Sequence, residues 1–113
     1  MEDKTDINLN YLGKDDWMSC YFAAQIRIHD MEEYKKYLDT VDEVFALFKG
    51  RYLAVDKEPE VLEGSWSYSR FVIIEFPDES ELKRWYHSPE YKAIVKYRLG
   101  AADCDSVIVR GLA

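Results

Sequence analysis

Hydrophobic residues in this chain recur at two spacings, one typical of strands and the other of helices. Every second residue is apolar along 21–28, and a Val/Ile-rich run fills 70–76, so both segments are predicted strands. The run at 70–76 is expected to be central and buried in its sheet. Similar strand patterns occupy 51–56 and 104–110, which gives four predicted strands.

Two predicted helical regions separate these strands. Apolar residues recur every three or four positions along 31–48, behind Asp30 as a predicted N-cap, and Gly50 is predicted to form a left-handed C-terminal cap. The second region begins at Asp78 and restarts at Ser88, because serine followed by proline is a favoured helix start.

The predicted order β-α-β-β-α-β is that of the ferredoxin-like α+β fold, with a four-stranded antiparallel sheet and both helices on one face. We assign residues 1–19 to an N-terminal arm and residues 20–113 to this domain. The other sheet face, which carries Tyr21 and Ala23, would be left bare and partly apolar. We therefore expect a homodimer joined through the sheet faces.

Charge and composition narrow the range of partners. The net charge of −7 and the isoelectric point of about 4.8 argue against binding to nucleic acid. Nine tyrosines, five phenylalanines and three tryptophans exceed what a minimal core needs. Rings in such number are typical of an aromatic cleft, a subunit interface or both.

The expected location is the cytoplasm, without membrane insertion. No apolar run approaches the roughly 20 residues of a membrane span, and the first ten residues lack the features of a signal peptide. Cys20 and Cys104 form no closely spaced pair, and His29 and His87 belong to no metal-binding motif, so neither a metal nor another cofactor is expected.

Several short motifs occur in an order that is similar to one known family. They are Asp30-x-x-x-Tyr34-x-x-Tyr37, Gly50-Arg51-Tyr52-Leu53, Leu62-Glu63-Gly64, Arg70-x-x-x-x-Glu75-Phe76-Pro77, Trp85-Tyr86-x-Ser88-Pro89-Glu90-Tyr91 and Arg98-x-x-Ala101-Ala102-Asp103, with a closing Gly111. Over about residues 21–111 the chain resembles the domain-of-unknown-function 1330 family of dimeric α+β-barrel proteins. Lys49 departs from the family pattern, which has a glycine there.

The resemblance implies the fold more firmly than a function, because the family has no firmly assigned activity. More distant members of the barrel superfamily include cofactor-free monooxygenases, haem-degrading enzymes and lactone isomerases. Such a likeness at the level of the fold does not carry an activity to this chain.

Arg98 is the principal candidate for a binding residue. It shares a helical face with Tyr91 and other apolar residues, where a cation requires a negative partner. One interpretation is a clamp for a ligand carboxylate or enolate. The alternative, which we prefer at this point, is an internal ion pair with Asp30, Glu63 or Asp103.

Further candidates flank the predicted helix break. Trp85, Tyr86 and Tyr91 either form an aromatic wall beside a ligand cleft or pack in the ordinary way against the sheet. The family resemblance adds Tyr37 and Glu63 as weaker ligand-binding candidates.

Glu75 lies within a predicted apolar strand, and two roles are open to it. A carboxylate in that position is either a base of raised pKa or the partner of a cross-strand arginine. We prefer a pair with Arg27, Arg51 or Arg110.

Three functions are consistent with these patterns. The leading hypothesis is a homodimeric binding protein for a small organic acid or aromatic ligand, which need not turn its ligand over. The second is a cofactor-independent monooxygenase or isomerase acting on a small aromatic or enolisable substrate. The third is a structural or regulatory dimer without a ligand, which a completely filled interior would favour.

Overall fold

The computed structural model describes residues 19–112. In chain order its elements are β1 (Cys20–Ile28), α1 (Met31–Phe45), β2 (Arg51–Asp56), β3 (Arg70–Phe76), α2 (Glu79–Tyr86), α3 (Pro89–Ala101) and β4 (Ala102–Arg110). The predicted N-terminal arm lies outside the described residues except for Ser19, and its separation from the domain stays a prediction.

The four strands form one sheet in the order β2-β3-β1-β4, and every neighbouring pair is antiparallel. The three helices pack on one face of this sheet, and the buried core lies between the two layers. This is the predicted ferredoxin-like α+β fold, with the second helical region divided into α2 and α3.

All three helices begin at the N-caps that the sequence predicts. Each cap side chain accepts the backbone N–H three residues later, at 3.2 Å for Asp30, 2.8 Å for Asp78 and 3.0 Å for Ser88. These bonds satisfy N–H groups that have no partner within a helix. Ser88 also donates its hydroxyl to the Trp85 carbonyl, so it links the last turn of α2 to the start of α3.

The end of the first helix and the start of β4 differ from the prediction. The first helix stops at Phe45, and Gly50 lacks the positive φ of a left-handed cap, which among residues 19–112 only Gly64 shows. A Cβ atom at Gly50 would lie 2.6 Å from Cε1 of Phe76, so glycine is required there for close packing. The last helix continues through Gly100, and β4 follows at once, two residues earlier than predicted.

The second face of the sheet carries apolar side chains that the helices do not cover. Val107 and Val109 of β4 are 59% and 45% exposed, and the row of Val107 continues through Ala23 to Ile73 on the inner strands. The loop 57–69 reaches over one end of this face. We call this surface, centred on Ala23, Ile73 and Val107, the outer sheet face.

Candidate functional site

A cavity of about 450 Å³ opens between α1 and the inner face of the sheet. Its wall is mainly aromatic and aliphatic, with two arginines and one aspartate. The lining residues are Phe22, Ala24, Ile26, Tyr34, Tyr37, Leu38, Val41, Asp42, Tyr52, Val55, Arg70, Val72, Ile74 and Arg98.

Helical and strand periodicity together build this wall. Tyr34, Tyr37 and Val41 are spaced by three and four residues, so they lie on the face of α1 that is turned to the sheet. Phe22 and Ala24 alternate along β1 and point to the same side. Ala24 has the smallest side chain on this part of the sheet, which leaves room above it.

Arg98 reaches the cavity from the last turn of α3 and is only 2% exposed. Its Nη1 donates to the Cys104 sulfur at 3.6 Å, and its guanidinium carbon lies 5.8 Å from the centre of the Tyr37 ring. Its buried Nε has no hydrogen-bond partner among residues 19–112.

The internal ion pair that we preferred for Arg98 does not form. No carboxylate in residues 19–112 lies within ion-pair distance of its guanidinium. Asp103, one of the three candidate partners, instead pairs with Arg27 at 3.0 Å, and Asp30 is exposed at the start of α1. The clamp interpretation of Arg98 therefore stays open, because its charge lacks a counter-charge within the described chain.

Arg70 is a second buried arginine in the same cavity, and sequence reasoning missed it. It is 8% exposed and places its guanidinium carbon 5.5 Å from the centre of the Tyr34 ring. Within the described part of the chain it too forms no ion pair with a carboxylate. The signal was present, since strand alternation puts Arg70 on the same side as Val72 and Ile74.

The tyrosines around the cavity are hydrogen-bond donors at neutral pH. The hydroxyls of Tyr37 and Tyr91 lie 2.7 Å apart, and burial raises the pKa of both phenols, that of Tyr37 well above its ordinary value. Burial also raises the pKa of Tyr34, and partial burial raises the pKa of Tyr52, which is 39% exposed, to about 12. Protonated phenols and guanidiniums together offer an anion several donors.

The remaining candidates lie outside the cavity. Trp85 is fully buried in the core, with its ring centre 4.4 Å from that of Tyr91 and 5.3 Å from that of Phe76. Tyr86 borders a smaller cavity of about 270 Å³ between α2 and β4, and Glu63 lies on the exposed loop 57–69. The structure thus brings Arg98 and Tyr37 together at the cavity, with Tyr91 bonded behind Tyr37.

Glu75 is the partner of a cross-strand arginine. Its Oε1 accepts from Arg51 Nε at 2.6 Å, and this hydrogen bond is the main cause that lowers the pKa of Glu75. A base of raised pKa at Glu75 is therefore contradicted, and the ion pair with Arg51 is confirmed.

Two further properties of the described residues concern metal ligands and membrane-spanning helices. Within residues 19–112, no group of three or more His, Cys, Asp or Glu side chains is placed to hold a metal ion. The helices of that same part of the chain are too short or too polar to cross a membrane.

Solved structures with a similar fold come from several bacteria. A protein of unknown function from Rhodopseudomonas palustris has a TM-score of 0.73 at 18% identity, covering 96% of this chain and 93% of its own. A dimeric ferredoxin-like protein of unknown function from Thermobifida fusca has a TM-score of 0.56 at 14% identity, with 85% and 92% covered. A cofactor-independent oxygenase from Streptomyces nogalater has a TM-score of 0.59 at 12% identity, with 80% and 90% covered.

At these low identities the likeness establishes the fold alone. No functionally curated protein matches the sequence. The model of one family, described as a domain of unknown function (DUF1330), matches residues 19–112 and thus nearly all of the ferredoxin-like domain. The motifs that resemble this family lie within the matched range, and the chain belongs to the DUF1330 family.

Proposed function

We propose that this protein binds a small organic acid with an aromatic or otherwise apolar body in the cavity between α1 and the sheet. One observation carries the proposal: two buried arginines, Arg70 and Arg98, face one cavity without a carboxylate partner in the described chain.

The energetics of buried charge support a bound anion. A buried cation is costly unless it is paired, and the rings of Tyr34 and Tyr37 compensate only in part through cation–π contacts. The one carboxylate of the cavity wall, Asp42, is exposed and forms no ion pair with either arginine. A ligand carboxylate would supply the missing charge and accept bidentate hydrogen bonds.

The cavity favours binding over the two other hypotheses. Its volume of about 450 Å³ lies in the usual range for small-molecule sites, whereas a structural dimer without a ligand should have a filled interior. An oxygenase or isomerase that removes a proton from its substrate requires a base. The buried part of the wall offers arginines, which do not act as bases in proteins, and the phenols of Tyr34 and Tyr37, which are protonated at neutral pH.

Thermal melting with a panel of aromatic carboxylic acids tests the proposal. We expect at least one acid to raise the melting temperature of the wild-type protein. Arg98→Ala should remain folded, since no ion pair is broken, yet lose this response. Arg98→Lys keeps the charge without the planar fork and should respond more weakly. Arg110→Gln, which removes the same charge at the surface, should respond like the wild type.

A second set of melting results would contradict the proposal. If Arg98→Ala is destabilised by several kcal/mol, as expected when a buried ion pair is broken, and no acid shifts the wild-type melt, the proposal is wrong.

We also propose that a second copy of the chain covers the outer sheet face and completes a dimeric α+β barrel. Val107 and Val109 leave apolar surface exposed there, and Val107 lies beside Ala23 of β1, whose other neighbour is Ile73 of β3. Contiguous apolar surface of this kind marks an association site. The similar protein from Thermobifida fusca is described as dimeric.

A further inference from the structure

Both arginines of the cavity border the same position along the sheet. Ile26 of β1 lies opposite Arg70 on β3 and opposite Cys104 on β4, and these three side chains face the helices. Arg98 is held at this position by its 3.6 Å contact with Cys104. Positive charge is therefore concentrated at one end of the cavity.

The opposite end of the cavity floor is apolar. Two residues back along β1, Ala24 lies opposite Val72, and two further back Phe22 lies opposite Ile74. At about 3.4 Å per residue, the floor from Ile26 to Phe22 is about 14 Å long. The small side chain of Ala24 leaves space for a ligand in the middle of the cavity.

The α1 side of the cavity shows the same division into a cationic and an apolar end. Tyr34 and Tyr37, in the first half of α1, lie over the guanidiniums of Arg70 and Arg98. Val41 follows Tyr34 by seven residues, about 10.5 Å along the helix axis, and belongs to the apolar end. The two walls thus divide the cavity into a cationic end and a mainly apolar end, whose exposed rim carries Tyr52 and Asp42.

We infer that the ligand is a single-headed amphipathic acid. This inference rests on the proposed function and specifies its ligand class. One carboxylate lies between Arg70 and Arg98, and an aryl or alkyl tail extends over Ala24 towards Phe22. A second carboxylate on the tail would lie among mainly apolar side chains and be repelled by Asp42, one turn of helix beyond the middle of α1.

Two acids of matched shape test this orientation in calorimetric titrations: 3-phenylpropanoate and its para-carboxylated analogue. We expect the wild-type protein to bind the monoacid more than about tenfold more tightly than the diacid. Arg70→Gln and Arg98→Gln should each weaken binding of the monoacid by a similar factor, because both arginines contact its single carboxylate. Melting curves establish that each variant is folded.

Asp42→Lys provides a test that does not alter the core, because Asp42 is exposed. A cation at the tail end should reduce the preference for the monoacid to less than about threefold. Asp39→Lys makes the same charge change at another exposed position of α1 that does not line the cavity, and should leave the preference unchanged.

The outcomes separate this inference from the proposed function. If the diacid binds the wild type as tightly as the monoacid, or if Asp42→Lys leaves the preference intact, the single-headed orientation is wrong while binding of organic acids stands. If neither these two acids nor the aromatic panel binds, the proposed function fails and the inference fails with it.

Discussion

Gly50 shows how one backbone position constrains the core. Its missing side chain would lie 2.6 Å from Cε1 of Phe76 and 2.7 Å from Cζ of Phe45, both on buried rings. Gly50→Ala should therefore cost about 1–3 kcal/mol in the free energy of unfolding, the usual range for overpacking. Gly100→Ala, where a Cβ atom meets only open space within a helix, should instead stabilise by about 0.5–1 kcal/mol. Urea denaturation measures both, and equal effects would contradict this explanation.

Four tyrosines in and beside the cavity predict how stability responds to base. Burial raises the pKa of Tyr34, Tyr37 and Tyr91, and raises that of Tyr52 to about 12. Unfolded tyrosines ionise near pH 10, so above that pH the unfolded chain binds fewer protons than the folded one. Stability should be unaffected by these groups below about pH 10 and should fall as the pH rises from there.

Tyrosinate absorbance measures this directly. The folded protein should show fewer tyrosines ionising near pH 10 than the urea-unfolded chain, and Tyr52→Phe should remove a component that ionises near pH 12. Identical titration curves for folded and unfolded protein would show that the phenols are not held in a buried environment.

At the scale of the elements, the N-cap of α1 can be separated from the site. Asp30→Ala should cost about 1 kcal/mol because the Glu33 N–H loses its acceptor. Asp39→Ala, the same substitution at an exposed position within the helix, should be neutral or slightly stabilising. Denaturant unfolding of both variants checks this, and a neutral Asp30→Ala would show that the cap bond does not matter.

The same substitution also tests whether Asp30 is coupled to Arg98. Asp30 is exposed and Arg98 forms no ion pair within residues 19–112, so the free-energy effects of Asp30→Ala and Arg98→Ala should add within about 0.5 kcal/mol. A larger coupling free energy in a double-mutant cycle would indicate an ion pair between Asp30 and Arg98 and would contradict the structure.

Elements were predictable where the chain carries local signals. Alternation defines 70–76, and the caps at Asp30 and Ser88 use side chains that bond three residues away, so their chemistry can be seen in the sequence. Helix ends were less predictable. Gly50 was expected to be a cap, but its role depends on Phe76, which is distant in sequence.

At the scale of the whole molecule, the candidate site could be predicted only in part. Arg98 stood out because a cation on an apolar helical stripe is rare, and Tyr37 followed from the family resemblance. Alternation along β3 indicates the side on which Arg70 lies, but the cavity that it faces depends on how β1 and α1 pack beside it. Trp85 lies in the core because its ring packs against rings from β1, α1, β3 and α3. A cavity between layers depends on such long-range packing, which local patterns do not encode.

Dimerisation through the outer sheet face is the prediction that concerns the molecule as a whole. The helices cover one side of the sheet, and a specific interface on the other should bury more than about 1,000 Å² in total. Val107→Glu places a charge on this face, on the edge strand β4 beside Ala23, and should convert the dimer to a monomer in sedimentation velocity at micromolar concentration. Leu99→Glu is the matched control, because Leu99 is 63% exposed, close to the 59% of Val107, but lies on α3 in the helical layer. It should leave the dimer intact. A wild-type protein that sediments as a stable monomer, or a dimer that only Leu99→Glu disrupts, would show that the outer sheet face is not the interface.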